Sequence, residues 1–375
     1  MNTLFDRNSI SAKPLAERKN KLDIQRDQID PETFQPALDA AAADSVALAA
    51  AEVCAARAKG APVVLAFGAH SIKNGLSQVL IRLMDGGWVT HFATNGAGVI
   101  HDWEFAYQGR SGEDVKRYVA EGQFGIWEET GAYLNLAIAV GAYRGLGYGE
   151  AVGALVAEDG LLIPGREELG EAIAAGADAL AGGAVVARAA AAADLAALLV
   201  RFEVTPGFLR VGHPFKAYGL QAAAYTARVP FTAHPMFGHD IIYTHPMSCG
   251  AAIGRTAERD FLAFTESVSR LEGGVYLSVG SAVMSPMIFE KALSMSRNLA
   301  RVRGGVIEDF SIHVVDLAKS SWDWTRDGEP PQDNPAYYLR FCKTFSRMGG
   351  RMTYTSADNR SFLVALLRAL EASSD

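Results

Sequence analysis

The stretch PVVLAFGAHSIKNGLSQVLIRLMDGGWVTHFATNGAG, residues 62–98, decides how the fold begins. PVVLAF has the continuous apolar character of a buried strand, and VTHFAT has the same character further along the chain. Between them, KNGLSQVLIRLMDGG has the pattern of a helix that ends at glycine. The order strand, helix, strand predicts a βαβ unit, which is the start of a parallel sheet.

The turn ATNGAGVIHDWE, residues 93–104, follows the second of these strands. Gly96 and Gly98 have no side chain, so backbone amides in this turn can approach a ligand such as a nucleotide closely. The turn does not spell GxGxxG, and a tight bend between a strand and a helix has the same composition. Both interpretations stay open on the turn alone.

Further strand-like segments appear from residue 228 onward: RVPFTA, DIIYT, GVYLSVG, SIHVVDL and RMTYTS. Helical segments separate several of them, whereas residues 129–202 are alanine-rich and predicted to be helical, without an obvious strand. This alternation predicts an α/β fold with a largely parallel sheet that has helices on both faces.

Small or polar residues follow six of the candidate strands. The segments are GAHS, NGAG, HPMFGHD, GSAV, AKSS and ADN. Any turn between a strand and a helix favours such residues. In open parallel sheets, however, ligands bind beyond the carboxyl ends of the strands, and six such ends together favour a nucleotide site.

The composition excludes several classes of protein. The chain has 375 residues, a formal net charge of −7 and no dense Lys/Arg tract, so we expect no nucleic-acid partner. Three cysteines without CxxC spacing suit a reducing cytoplasm and make structural zinc improbable. The polar N-terminus is not a secretory signal. The apolar segment 182–200 contains Arg188 and Asp194, so we expect a packed helix and no membrane span.

The predicted domain organisation is simple. Residues 1–40 are polar and contain Pro14, Pro31 and Pro36, which interrupt any long helix, so they are predicted to form an N-terminal arm. Residues 41–375 are predicted to form a single α/β domain.

Residues 60–372 resemble the deoxyhypusine synthase family. The segments that carry the resemblance, in family order, are FGAHSIKNG, ATNGAGVIHD, FTAHPMFGHDIIYTH, YLSVGSAV, PAYYLRFCK and YTSADNRSFLVALL. The resemblance implies a Rossmann-like fold, NAD as cofactor and a cytoplasmic homotetramer. It also implies that these residues contact the cofactor: Gly68, Ala69, His70, Thr94, Asn95, Gly96, Ala97, Gly98 and Asp358. Asp358 also precedes a helical segment, where an aspartate commonly caps the helix.

The resemblance further implies two catalytic residues and two substrate-binding residues. Lys343 matches the lysine that forms an imine with the transferred group, a role that needs a neutral amine in an apolar setting such as Phe341, Tyr338 and Leu339. Without the resemblance, Lys343 is a cation near the end of a short helix. His101 stands where the family has a glutamate, and it could transfer protons or cap its helix. Asp240 and Asp323 are the acidic candidates for the substrate.

The sequence also departs from the family pattern. GSAVMSPM has Ser285 and Pro286 where the family has paired histidines. The implied activity is NAD-dependent transfer of an aminobutyl group from a polyamine such as spermidine to an amine acceptor, either a protein lysine, as in deoxyhypusine synthesis, or another polyamine, as in homospermidine synthesis.

Two alternatives stay open from the sequence. His234, His239, Asp240 and His245 lie within twelve residues and could bind a catalytic metal for hydrolysis, although the spacing is not HExxH and DIIYT has a strand-like pattern. Alternatively, the chain could be a non-catalytic NAD-binding assembly protein, because the family histidine and carboxylates are missing.

Overall fold

The computed structural model describes residues 4–178 and 182–373. Contacts divide the chain into two compact units. The helical unit consists of the described residues up to Arg26, Val99–Thr226 and Pro235–Asp260. The sheet unit consists of Asp27–Gly98, Ala227–His234 and the described residues from Phe261 onward. The predicted boundaries, an arm of residues 1–40 and a body of 41–375, divide the chain differently and stay a prediction.

Six parallel strands form the sheet unit: β1 (Val63–Phe67), β2 (His91–Thr94), β3 (Phe231–Ala233), β4 (Val275–Val279), β5 (Ser311–Asp316) and β6 (Arg351–Ser356). Their order across the sheet is β3-β2-β1-β4-β5-β6. This is the doubly wound Rossmann order, in which the chain reverses direction across the sheet between the first and fourth strands. The predicted α/β fold with a parallel, Rossmann-like sheet is confirmed, and no feature of it is specific to deoxyhypusine synthase.

Helices cover both faces of this sheet. Every residue of β1 and β4 is buried, as expected for parallel strands without a solvent-facing side. Val64 and Tyr276 face a cluster that includes Phe289 and Phe345, from helices Met284–Val302 and Arg340–Ser346. Helix Ala40–Ala58 contacts β1, β4 and β6 and packs against helix Asn359–Ala372.

The remaining elements are as follows. Further α-helices are Ile24–Asp27, Ala69–Lys73, Ser77–Asp85, Gly96–Gln108, Val115–Ala120, Glu128–Arg144, Tyr148–Ala157, Arg166–Asp178, Gly183–Arg201, Leu220–Ala227, Gly250–Ser269 and Trp324–Asp327. The 3-10 helices are Arg7–Ser9, Leu15–Glu17, Lys216–Tyr218, Ile241–Thr244 and Pro335–Tyr338. Two short antiparallel pairs join Leu22–Asp23 with Arg110–Ser111 and Gly160–Ile163 with Gly207–Arg210.

Two local predictions were wrong. DIIYT forms a 3-10 helix, Ile241–Thr244, because the Asp240 carboxylate accepts a hydrogen bond from the Ile242 amide and turns the chain there. The region 129–202, predicted to be helical, includes the strand Gly160–Ile163, which pairs with a partner strand that begins at Gly207. Pairing with a distant segment leaves no signal within the alanine-rich region itself.

Helix Gly183–Arg201 is long and apolar enough, by length and composition, to cross a membrane. One such helix is weak grounds for a membrane span. The helix packs against Arg166–Asp178 and Glu128–Arg144. Its charged residues have protein partners: Arg188 donates to Tyr143 Oη (3.0 Å), and Asp194 pairs with Arg255. The cytoplasmic location remains an expectation.

Candidate functional site

The carboxyl ends of the six strands lie at one edge of the sheet. The strand register aligns the last residue of β1, Phe67, with Thr94 of β2 and Val279 of β4. Strands β5 and β6 also end at paired residues, Asp316 and Ser356. The loops predicted to contact the cofactor therefore start from a common edge, on both sides of the point where the strand order reverses.

Two glycines bring the loops after β1 and β4 together at this reversal. The Gly68 amide donates to Val279 O (3.2 Å), and a Cβ added to Gly68 would lie 2.1 Å from Gly280 O. Gly280 has φ +59°, and its added Cβ would lie 2.4 Å from Asn359 Nδ2. Neither position accommodates a side chain, so these loops approach more closely than other residues allow.

The turn after β2 is held by its own side chains. Thr94 Oγ1 donates to Phe67 O (2.9 Å), and Asn95 Oδ1 accepts from the Gly98 amide (2.9 Å). A Cβ at Gly98 would lie 2.2 Å from Thr94 Oγ1. The tight bend is therefore real, and Gly98 is required for it. Binding of a nucleotide by Gly96, half-buried Ala97 and Gly98 stays a prediction.

The other predicted cofactor residues lie near the same edge. Asp358 caps helix Asn359–Ala372, accepting from the amides of Arg360 (2.9 Å) and Ser361 (3.4 Å). Burial acts to raise the pKa of Asp358, but hydrogen bonds and the charge of Arg360 outweigh it and lower the pKa. After β1, Ala69 is half-buried and His70 is exposed, and partial burial and Lys73 lower the pKa of His70.

Lys343 is largely buried, with its side chain 16% exposed, and it has a carboxylate and an aromatic ring as neighbours. Its Nζ lies 3.4 Å from Glu329 Oε1 and 3.5 Å from the centroid of the Tyr337 ring. Tyr338 is 68% exposed, and Phe341 packs against the core cluster. A carboxylate therefore lies beside the Nζ of Lys343, and a catalytic role for this lysine stays a prediction.

Asp323, the second predicted substrate residue, lies in the same connection between β5 and β6. Its carboxylate accepts from the Arg326 amide (2.9 Å). Its substrate role stays a prediction.

His101 belongs to the helical unit, where it joins a buried polar network. Its Nδ1 lies 2.6 Å from Ser111 Oγ, and Ser111 donates to Glu104 Oε2 (2.5 Å). Glu104 is paired through two hydrogen bonds, of 2.7 and 2.6 Å, with Arg18. Burial acts to raise the pKa of Glu104, but Arg18 outweighs it and the pKa is lowered. The role of Glu104 was missed, because its partner lies 86 residues earlier in the sequence.

Asp102 was also missed. Its buried carboxylate accepts hydrogen bonds from the amides of Leu220 (2.9 Å) and Gln221 (3.0 Å) and from the Gln221 side chain. These donors lie at the start of helix Leu220–Ala227, so Asp102 fixes that helix. Burial raises the pKa of Asp102.

The histidines of the proposed metal cluster have other partners. His234 Nε2 lies 3.0 Å from Thr232 Oγ1, which in turn lies 2.9 Å from His91 Nε2. His245 Nδ1 accepts from the Met247 amide (3.1 Å), and His239 is exposed. Within residues 4–178 and 182–373, no group of three or more His, Cys, Asp or Glu is placed to hold a metal ion.

No protein-family model matches the chain, and no curated protein matches it. Among solved structures, ArgZ, an arginine dihydrolase from the ornithine–ammonia cycle in cyanobacteria, is 14% identical, with 87% of this chain and 32% of that chain covered and a TM-score of 0.43. AgrE in complex with ornithine and NAD+ is 13% identical, with coverage of 91% and 35% and a TM-score of 0.41.

A conserved LOR/SDH protein from Methanococcus maripaludis S2 is 10% identical, with 98% of this chain and 76% of that chain covered and a TM-score of 0.42. The chain spans about a third of the length of ArgZ and AgrE. Likeness at this level assigns neither a family nor an activity to the chain.

The assignment to the deoxyhypusine synthase family is wrong. No family model or curated protein supports it, and the similar structures reported above are arginine-processing proteins and an LOR/SDH protein. The conclusions that depended on it are wrong as well: the aminobutyl transfer, the spermidine donor, the amine acceptors and the transferase class. The imine role of Lys343 has no support without them.

Proposed function

We propose that this chain binds NAD at the carboxyl edge of its parallel sheet and uses the dinucleotide for hydride transfer. The observation that carries the proposal is the strand order β3-β2-β1-β4-β5-β6. In sheets of this order, dinucleotides bind in the crevice where the strand order reverses. Here that point lies between β1 and β4.

The chemistry of the edge fits a dinucleotide. Helices Gly96–Gln108 and Met284–Val302 begin just after β2 and β4, and helix N-termini favour an anionic pyrophosphate. The backbone amides of Ala69 and Ala97 would approach it, since their side chains are small and half-buried. When bound, the cofactor supplies the hydride or accepts it.

The edge also departs from the common dinucleotide pattern. Thr94 and Asn95 stand at the end of β2, where a carboxylate commonly binds the ribose. Asp358 is the carboxylate that could take this role, and it would have to share its oxygens with Arg360 and the helix cap.

Isothermal titration of the purified chain with NAD and NADH tests the proposal. Ala97→Glu and Ala69→Glu each place a negative charge beside the proposed site of the negatively charged pyrophosphate. We therefore expect the affinity for NAD to fall at least about tenfold, the equivalent of about 1.4 kcal/mol. Ala55→Glu, on an exposed position of helix Ala40–Ala58, is the matched control and should bind like the unchanged chain. Unimpaired NAD binding by both edge variants, or no binding by the unchanged chain, would refute the proposed site.

Homotetramer formation and the absence of nucleic-acid and membrane partners are retained as proposals. Light scattering of the purified chain measures the number of subunits directly.

A further inference from the structure

A cavity lies at the amino edge of the parallel sheet, the edge opposite the proposed NAD site. Its volume is about 300 Å³. A helix and two loops line it: Arg297, Arg301, residues 306–308, Gly349 and Gly350. These segments precede strands β5 and β6, which begin at Ser311 and Arg351. Pockets for small ligands have volumes of roughly 300–1,000 Å³, so this cavity is large enough for a small molecule.

Arg297 is fixed in the wall of the cavity by main-chain oxygens from both loops. Its Nε donates to Ile307 O (2.9 Å), and its Nη1 donates to Met348 O (2.7 Å). Its guanidinium also lies 5.7 Å from the centroid of the Phe310 ring. A Cβ added to Gly349 would lie 3.3 Å from Arg297 Nη2, so a glycine there leaves this nitrogen accessible. The two N–H groups of Nη2 are therefore the donors that a ligand would meet.

Arg301 supplies a second guanidinium to the same cavity. It follows Arg297 by four residues on helix Met284–Val302, and residues at this spacing share a helix face. Neither arginine forms an ion pair within the part of the chain that the structure describes. Glu308 is the one acidic residue among the described lining residues, so two positive charges and one negative charge give a net charge of +1. The cavity therefore favours an anion.

We propose that this cavity binds the phosphate group of a small phosphate monoester that also carries hydroxyl groups, such as a polyol or sugar phosphate. Guanidinium groups form bidentate, charge-assisted hydrogen bonds with phosphate oxygens. A phosphate monoester carries a charge of about −1.5 to −2 at pH 7, which suits two arginines better than the single charge of a carboxylate does. The ionised carboxylate of Glu308 only accepts hydrogen bonds, so it suits the hydroxyl groups of the same ligand.

Glycerol 3-phosphate is the probe, in isothermal titration of the full chain at constant ionic strength. Glycerol, which has no anionic group, and glycerate, which has a carboxylate in place of the phosphate, are the comparison compounds. We expect glycerol 3-phosphate to bind, glycerol not to bind, and glycerate to bind at least tenfold more weakly. Absence of binding by glycerol 3-phosphate, or equal affinity for either comparison compound, would overturn the proposal.

Two arginine variants locate the phosphate. Arg301→Gln removes one positive charge from the lining and breaks no hydrogen bond or ion pair within the described residues, so the chain should stay folded. Its affinity for glycerol 3-phosphate should fall at least tenfold, the equivalent of about 1.4 kcal/mol. Arg303→Gln is the matched control, because it removes the same charge at the same helix end, from an exposed residue outside the lining. Unchanged affinity in Arg301→Gln, or equal losses in the two variants, would refute this site.

A third variant separates the cavity from the opposite edge of the sheet. Ala97→Glu places a negative charge at the carboxyl edge, beside the proposed NAD site, and should bind glycerol 3-phosphate like the unchanged chain. Weaker binding of glycerol 3-phosphate by Ala97→Glu would place the phosphate at the carboxyl edge and overturn the assignment. Because the two sites lie at opposite edges, this result does not depend on whether the chain binds NAD.

Discussion

Breaking the buried ion pair between Arg18 and Glu104 should destabilise the helical unit strongly, because it leaves a carboxylate buried without its cationic partner. Both side chains are 1% exposed, and two hydrogen bonds of 2.7 and 2.6 Å join them. In Arg18→Met the carboxylate of Glu104 remains buried and keeps the hydroxyls of Ser111 and Thr130 as hydrogen-bond donors. Removing one partner of such a pair costs about 3–5 kcal/mol, and we expect a loss in that range.

Urea unfolding of the purified chain, followed by circular dichroism, measures this loss. Lys21→Met is the matched control: Lys21 pairs with Asp114 at the surface, both side chains being about half exposed, so its loss should cost less than about 1 kcal/mol. The double variant Arg18→Met/Glu104→Leu should be more stable than Arg18→Met alone, since no charge is left buried.

The ion pair between Arg18 and Glu104 also predicts how the stability of the folded chain depends on pH. The pKa of Glu104 is lower in the folded chain than its ordinary value of 4.5. A lowered carboxyl pKa contributes stability that is present above the ordinary pKa and lost as pH falls through the folded value. The unchanged protein should therefore lose this contribution below pH 4.5, and Arg18→Met should show a smaller loss there. A destabilisation of Arg18→Met below 1 kcal/mol, equal to that of the Lys21→Met control, would refute this account of the pair.

Two further predictions concern the sheet unit and a glycine control. Gly98→Ala should lower the free energy of unfolding, because its Cβ would lie 2.2 Å from Thr94 Oγ1. The control is Gly254→Ala, in a helix with open space around it, which should raise the free energy of unfolding by about 0.5–1 kcal/mol. Equal effects of the two substitutions in thermal unfolding would contradict the tight bend. Burial lowers the pKa of His91 and of His234 to about 3, so stability should fall as pH drops below 6.5, by up to about 1.4 kcal/mol per pH unit for each histidine. His91→Gln should reduce that slope by about one proton in pH-dependent urea unfolding, and an unchanged slope would show that His91 does not titrate on unfolding.

The sequence alone determined the local structure wherever the signal lies within a few residues. The apolar runs of β1 and β2, the helix between them and the small residues after each strand follow from periodicity and turn chemistry, and the α/β fold follows from their alternation. Both interpretations of residues 93–104, a nucleotide-binding turn and a tight bend, were also visible in the sequence, and the bend needs Gly98 because a Cβ there would lie against Thr94.

Tertiary structure alone decided the features that depend on partners distant in sequence. Strand order is one of these, because the neighbour of β1 on one side is β4, more than 200 residues later. The roles of the Asp102 and Glu104 carboxylates were missed for the same reason: their partners, Gln221 and Arg18, lie 119 and 86 residues away. Ordered motifs suggested a family that the comparisons exclude, because short segments beyond strand ends are shaped by the requirements of turns in any parallel sheet. Side-chain chemistry is set by which groups become buried together, and the chain's linear order does not encode that directly.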